Sequence, residues 1–153
     1  MRAESQVREA ESAGAALKLQ IQIIKVATAH EISAAFSTLA RDRPDALFVS
    51  PDPFFLGRRV QLATQAARHA IPTSFSTRDF PEAGGLMSYG TNIIDALRQA
   101  GVYTGQVLKG AKPVDMPVVQ ATKFELVINV ETARILGLAI PSTLLARADE
   151  VIE

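Results

Sequence analysis

Residues 46–92 read ALFVSPDPFFLGRRVQLATQAARHAIPTSFSTRDFPEAGGLMSYGTN, and this stretch decides the fold. ALFVS and IPTSFS are short apolar runs that end in small polar residues, and a helix-patterned segment joins them. The second run leads into the turn-rich EAGGLMSYGTN. The order is strand, loop, helix, strand, loop, with polar and special-backbone residues gathered at the downstream strand ends. In an open parallel sheet a small-molecule site is built at those ends, so the pattern points to a solute-binding lobe.

Working outward, the cycle extends in both directions. Upstream, residues 4–19 carry Val7, Ala10, Ala13, Gly14 and Leu17 on one stripe, which predicts an amphipathic helix. IQIIKVA at 21–27 is rich in β-branched residues and predicts a strand. A helix is predicted over 31–41, with Ile32, Ala35, Phe36, Leu39 and Ala40 on one face and Pro44 beyond its end. Within the opening stretch, residues 57–69 predict a helix and PEAGG a loop.

Downstream, LMSYG predicts a short strand and residues 92–108 a helix whose apolar face begins with Ile93, Leu97, Ala100 and Gly101. KFELVIN predicts a strand with Phe124, Leu126 and Ile128 turned inward and Glu125 and Val127 outward. Asn129 is positioned to cap a short helix ending at Gly137, and Ser142 to cap a last helix running to Val151. Alternating strands and helices imply right-handed crossovers and a mainly parallel sheet with helices on both faces, a three-layer α/β/α, Rossmann-like lobe.

At 153 residues there is room for one domain with a proper core. Hydrophobic residues make up 48% and charged ones 21%, as in an ordinary globular protein. Sixteen basic residues balance sixteen acidic ones, which leaves no electrostatic footprint for nucleic acid. The pairs Arg41/Arg43 and Arg58/Arg59 read as solvated helix ends. Cysteine is absent, which excludes disulfides and thiolate metal sites. His30 and His69 are the two histidines, and their spacing suggests no metal site. The opening MRAESQVREAESAG has no apolar core of a signal peptide, so the chain as written is expected to be soluble and unexported.

PDALFVSPDPFFLGRR, IPTSFSTRDFPEAGGLMSYGTN, VLKGAKPVDMPVVQATKFELVIN and IPSTLLARADEVIE together carry a family resemblance. Over residues 5–153 the chain resembles the solute-binding components of ABC transporters, periplasmic proteins with the type I two-lobed binding fold. The resemblance implies two Rossmann-like lobes closing over a solute, an ABC permease partner and a periplasmic location. It also implies that this chain corresponds to the second half alone. Residues 1–83 and 121–153 then form the second lobe, and residues 84–120 cross to pack on the first. Without that lobe, the helix at 92–108 and the strand at 86–88 are expected to expose an apolar face and to pair in a homodimer.

Ligand-binding candidates sit at the strand ends. Ser50, Asp52 and Phe54 follow the first strand of the stretch, with Pro51 and Pro53 stiffening the loop and aiming the Asp52 carboxylate at a ligand ammonium. Asp52 equally suits a helix cap. Ser74 and Ser76 close the next strand and can donate to a ligand carboxylate or form a turn. Tyr89 and Asn92 flank Gly90, where backbone can approach closely; Tyr89 can stack on a solute or simply pack. Phe54, Phe55 and Phe75 can wall a pocket or belong to the core, and Arg78 and Glu82 can pair at the rim.

There is no GxSxG, HExxH, GxGxxG or Walker loop, so neither an enzyme nor a cofactor is expected. The leading expectation is a solute-binding module for an amino acid or similar small polar metabolite. A truncated paralogue acting as an interaction protein and a flavodoxin-like enzyme are the alternatives.

Overall fold

The computed structural model describes residues 2–118 and 123–153, so the boundary expected at 120/121 lies outside the described residues. The chain divides into two packed units, Met1–Asp42 and Arg43–Glu153.

In the first unit, helix α1 (Arg2–Ala16) is followed by an extended run and helix α2 (Ala29–Asp42). A capping box starts α2: the Glu31 amide donates to Thr28 Oγ1 at 3.2 Å, while the Glu31 carboxylate accepts from the Ala27 amide at 2.6 Å. Ile32, Phe36 and Leu39, one face of that helix, are buried. The strand expected at 21–27 does not form. β-branched composition favours an extended backbone but supplies no partner, and a strand needs a ladder. Ile21, Ile23 and Ile24 remain exposed.

The second unit holds a five-stranded sheet in the order β1 (Leu47–Phe48), β2 (Thr73–Phe75), β3 (Met87–Thr91), β4 (Phe124–Asn129), β5 (Glu150–Ile152). The β1–β2, β2–β3 and β4–β5 pairs are parallel, and β3–β4 is antiparallel. The architecture is therefore mixed α/β with a mainly parallel sheet, as the alternating pattern requires. Helices α3 (Pro53–Gly57) and α4 (Arg59–Arg68) join β1 to β2, α5 (Asp79–Glu82) joins β2 to β3, and α6 (Ile93–Leu108) follows β3. Helices α7 (Val130–Ile135) and α8 (Ser142–Leu145) join β4 to β5.

The core gathers Leu62, Ala63 and Ala66 from α4, Phe75, Phe80, and Val127 and Ile128. Phe80 stacks on Phe75 with ring centroids 4.1 Å apart. Phe80 lies in a one-turn helix, Asp79–Glu82, which takes up the first two residues of the loop expected from PEAGG.

Three further expectations are corrected. The helix expected at 57–69 starts only at Arg59, with Asp52 capping a separate turn, α3, ahead of it. On β4, residues 125–129 are all buried and Phe124 is 51% exposed. A strand between β3 and β5 is covered on both faces, so its inward–outward alternation disappears. The helix expected to run to Val151 stops after one turn, and Glu150–Ile152 becomes β5. There the Asp149 carboxylate accepts from the Leu126 amide at 2.8 Å and the Asp149 amide donates to the Leu126 carbonyl at 2.9 Å. An open edge on β4 outcompetes local helix preference.

Candidate functional site

Parallel pairing puts the carboxyl ends of β1, β2 and β3 at one edge of the sheet, beside the amino ends of β4 and β5. Register aligns Phe48 with Ser74, Ser74 with Met87 and Met87 with Ile128. Two residues further along Tyr89 pairs with Leu126, and Ser50 and Ser76 lie just past the last paired residues of β1 and β2. A Cβ on Gly90 would overlap the Ser76 carbonyl oxygen, so the backbone just after β2 lies directly against β3. Three of the expected residues are thus found on or just after three neighbouring strands, Tyr89 within β3 and Ser50 and Ser76 beyond β1 and β2.

Tyr89 is 59% exposed and stacks on Phe124, with ring centroids 5.8 Å apart and ring planes 20° apart. Phe124 shares the sheet face with Tyr89 because it lies two residues from Leu126, the Tyr89 partner. The outcome is an open aromatic pair across β3 and β4. Phe124 was legible as apolar but not as surface.

Asp52 sits exposed in the loop after β1 and caps α3, its Oδ1 accepting from the Phe54 amide at 2.8 Å. Phe54 is half-buried against Phe55. Ser74 is half-buried on β2, while Phe75 belongs to the core.

Asn92 is half-buried and occupied on both sides. Its Oδ1 accepts from the Asp95 amide at 2.8 Å as the cap of α6, and its Nδ2 donates to Glu125 Oε2 at 2.6 Å. Glu125, 7% exposed on β4, also lies 3.7 Å from the Arg78 guanidinium. Arg78 reaches Glu82 at 2.7 Å and Glu150 at 2.6 Å as well. Its hydrogen bonds to Glu82, then to Glu150, hold the guanidinium pKa above its already high ordinary value. Three carboxylates around one guanidinium thus tie α5, β4 and β5 together at the edge where Asn92 sits. The Arg78–Glu82 pair matches expectation. Glu125 and Glu150 were missed, although a lone carboxylate inside FELVIN was the available signal.

Two surface depressions lie elsewhere, of about 480 Å³ beside Thr143, Leu144, Ala146 and Arg147, and of about 260 Å³ along 22–38. Neither is lined by the expected residues, and both are shallow. The carboxyl ends of β1, β2 and β3 remain the candidate, because hydroxyl, carboxylate and aromatic residues follow or end those neighbouring strands. Among the described residues no group of His, Asp or Glu is placed to hold a metal ion, and no helix is long and apolar enough to cross a membrane.

A mixed α/β unit with polar groups along the carboxyl ends of parallel strands is the architecture of a small-molecule binding lobe. The chain belongs to the ABC transporter substrate binding protein family, whose profile matches residues 2–152. Among solved structures it is similar to the ABC domain in complex with L-Trp from Streptococcus pneumonia, with a TM-score of 0.86 and 29% identity over 98% of this chain and 50% of that one. A conserved domain protein from Vibrio cholerae gives a TM-score of 0.86 at 22% identity, over 97% of this chain and 50% of that one. A ligand-free, open substrate binding protein with adhesive properties from Clostridium difficile gives 0.73 at 20%, over 99% and 50%. At those identities the last two speak to the fold alone. The chain spans about half the length of the solved structures it matches. No curated protein matches it.

Proposed function

We propose that this chain contributes one half of a solute site in an ABC-type import system, taking a small polar metabolite such as an amino acid. The observation that carries the reading is the parallel order of β1, β2 and β3, whose carboxyl ends carry Ser50, Ser76 and Tyr89 on or just past them. Serine hydroxyls suit a ligand carboxylate, the Asp52 oxygen not used in capping suits an ammonium group, and the exposed Tyr89–Phe124 pair suits a flat or apolar side chain. The L-Trp complex of the Streptococcus relative supports an amino acid as the class.

Asn92 and Phe54 complete the proposed set, Asn92 by fixing the start of α6 just after β3. Residues 1–83 and 121–153 then act as one lobe and 84–120 as a crossing segment. The partner is an ABC permease, the location the periplasm, and the role binding rather than catalysis.

The test is a panel of amino acids and small organic acids, measured by thermal shift and calorimetry. At saturation, about a hundred times Kd, a true ligand raises stability by about 2.7 kcal/mol. Tyr89→Ala and Ser76→Ala are expected to weaken that ligand at least tenfold. A panel without one stabilising member at about 10 mM, well above any useful Kd, overturns the reading.

A further inference from the structure

The buried carboxylate of Glu125 on β4 is held by groups that follow two other strands. Its Oε2 accepts from Asn92 Nδ2 at 2.6 Å, and the same oxygen faces the Arg78 guanidinium at 3.7 Å. Asn92 directly follows β3 and caps α6, and its own amide donates to the Lys123 carbonyl at 2.9 Å. Arg78 comes shortly after β2, and Glu82 at 2.7 Å and Glu150 at 2.6 Å fix the rest of its fork. Glu125 pairs with Gly90 across the β3–β4 ladder, and the Ser76 carbonyl sits where a Gly90 Cβ would lie. Paired residues share a face, so the Ser76 backbone crosses β3 on the face that carries Glu125.

We propose that Glu125 is a positioning residue for the solute site. Its carboxylate sets the spacing between the segment Ser76–Arg78 and the start of α6, and its burial leaves a solute almost nothing to touch. The inference rests on the proposed function, because Ser76 and Asn92 belong to the proposed set. The ionised oxygen serves two partners at once: it takes the Asn92 bond and attracts the Arg78 charge. A neutral amide of the same size can take the first and not the second. Without the charge, Arg78 keeps Glu82 and Glu150, and the exit from β2 loses its tie to the exit from β3.

Calorimetry of L-tryptophan and the other members of the amino-acid panel tests this, with urea denaturation of the same proteins beside it. Glu125→Gln is expected to raise the Kd of the amino acid that binds by about fivefold, the difference between a charged and a neutral hydrogen bond. Glu125→Ala is expected to raise it further. Arg78→Met is expected to weaken the same amino acid, and to add less than about twofold in the Glu125→Gln background, since the two act through one contact. Ile71→Val, a buried control ahead of β2, is expected to lower the urea midpoint and leave that Kd unchanged. Hydrogen exchange reads the tie with no solute present. The Asp95 amide, bonded to Asn92 Oδ1, is expected to exchange about tenfold faster in Arg78→Met than in Ile71→Val. A bound amino acid whose Kd stays within about twofold in Glu125→Gln and Glu125→Ala overturns this inference and leaves the proposed function standing. Additive losses from Arg78→Met and Glu125→Gln overturn it too, as does Asp95 exchange indifferent to Arg78→Met. A panel without any binder overturns the proposed function, and the positioning role falls with it.

Discussion

At the scale of single residues, the strand-end edge mixes groups that hold the fold with groups that stay exposed. Asp52 does both, since one carboxylate oxygen caps α3 and the other has no partner among the described residues. Asp52→Asn keeps an acceptor for the Phe54 amide and is expected to change stability by under about 0.5 kcal/mol, whereas Asp52→Ala loses the cap at about 1 kcal/mol. If the carboxylate recognises an ammonium group, both variants lose ligand affinity alike, so comparing calorimetric Kd with urea midpoints separates the two roles. Gly90 is purely architectural. Alanine there meets the Ser76 carbonyl, which is backbone and cannot swing aside, so Gly90→Ala should cost about 1–3 kcal/mol by urea denaturation. Arg78 answers to its three carboxylates. Arg78→Met leaves Glu125 buried with only Asn92 as a partner and is expected to cost about 1–3 kcal/mol. Lysine should restore less than half of that, because a point charge does not span three carboxylates fixed by a planar fork.

Elements are where sequence and structure part company, and Asn129 shows what was readable. Its cap on α7 follows from its place after an apolar strand, and its Oδ1 accepts from the Thr132 amide at 2.8 Å. Its second bond, Nδ2 to the Pro81 carbonyl at 3.1 Å, joins residues 48 apart in the chain and no local pattern announces it. Asn129→Ala is therefore expected to cost more than an ordinary cap, about 2–3 kcal/mol, since a buried carbonyl is orphaned as well. Asn129→Asp should recover only the capping share, and thermal unfolding distinguishes the three proteins. The same division runs through the molecule. Periodicity found α1, α2, α4 and α6 because a helix buries a face set by its own 3.6-residue repeat. It failed at 21–27 and at 150–152, where strand or no strand depends on whether a neighbouring edge is free. It misjudged β4 because burial on both faces is decided by what flanks a strand, not by the strand. In the candidate site, the serines and Tyr89 were readable as strand-end polar groups, whereas the Arg78–Glu125–Glu150 tie needed the sheet order to bring β2, β4 and β5 to one edge.

Over the whole molecule, ladder bonding and burial are concentrated in β2, β3 and β4, and this predicts a map of local stability. Phe75, Ser88, Val127 and Ile128 are each at most 1% exposed, and their strands are paired on both sides. By contrast, the amides of residues 21–26 donate no backbone hydrogen bond among the described residues. Opening free energies run from near zero for unpaired, exposed backbone up to the global value for core strands. Native-state hydrogen exchange is therefore expected to show amides 21–26 exchanging within about tenfold of an unstructured peptide, while Val127 and Ile128 exchange only through global unfolding. Their rates should follow urea with the same slope as the equilibrium transition, because that slope reports the surface exposed by complete unfolding. Strong protection across 21–26 would mean that this run has found a ladder partner after all, and the assignment of five strands would then be short by one. Weak protection at Val127 would remove the rigid sheet that keeps the carboxyl ends of β1, β2 and β3, with Ser50, Ser76 and Tyr89, next to one another, since neighbouring strand ends stay together only while their strands stay paired.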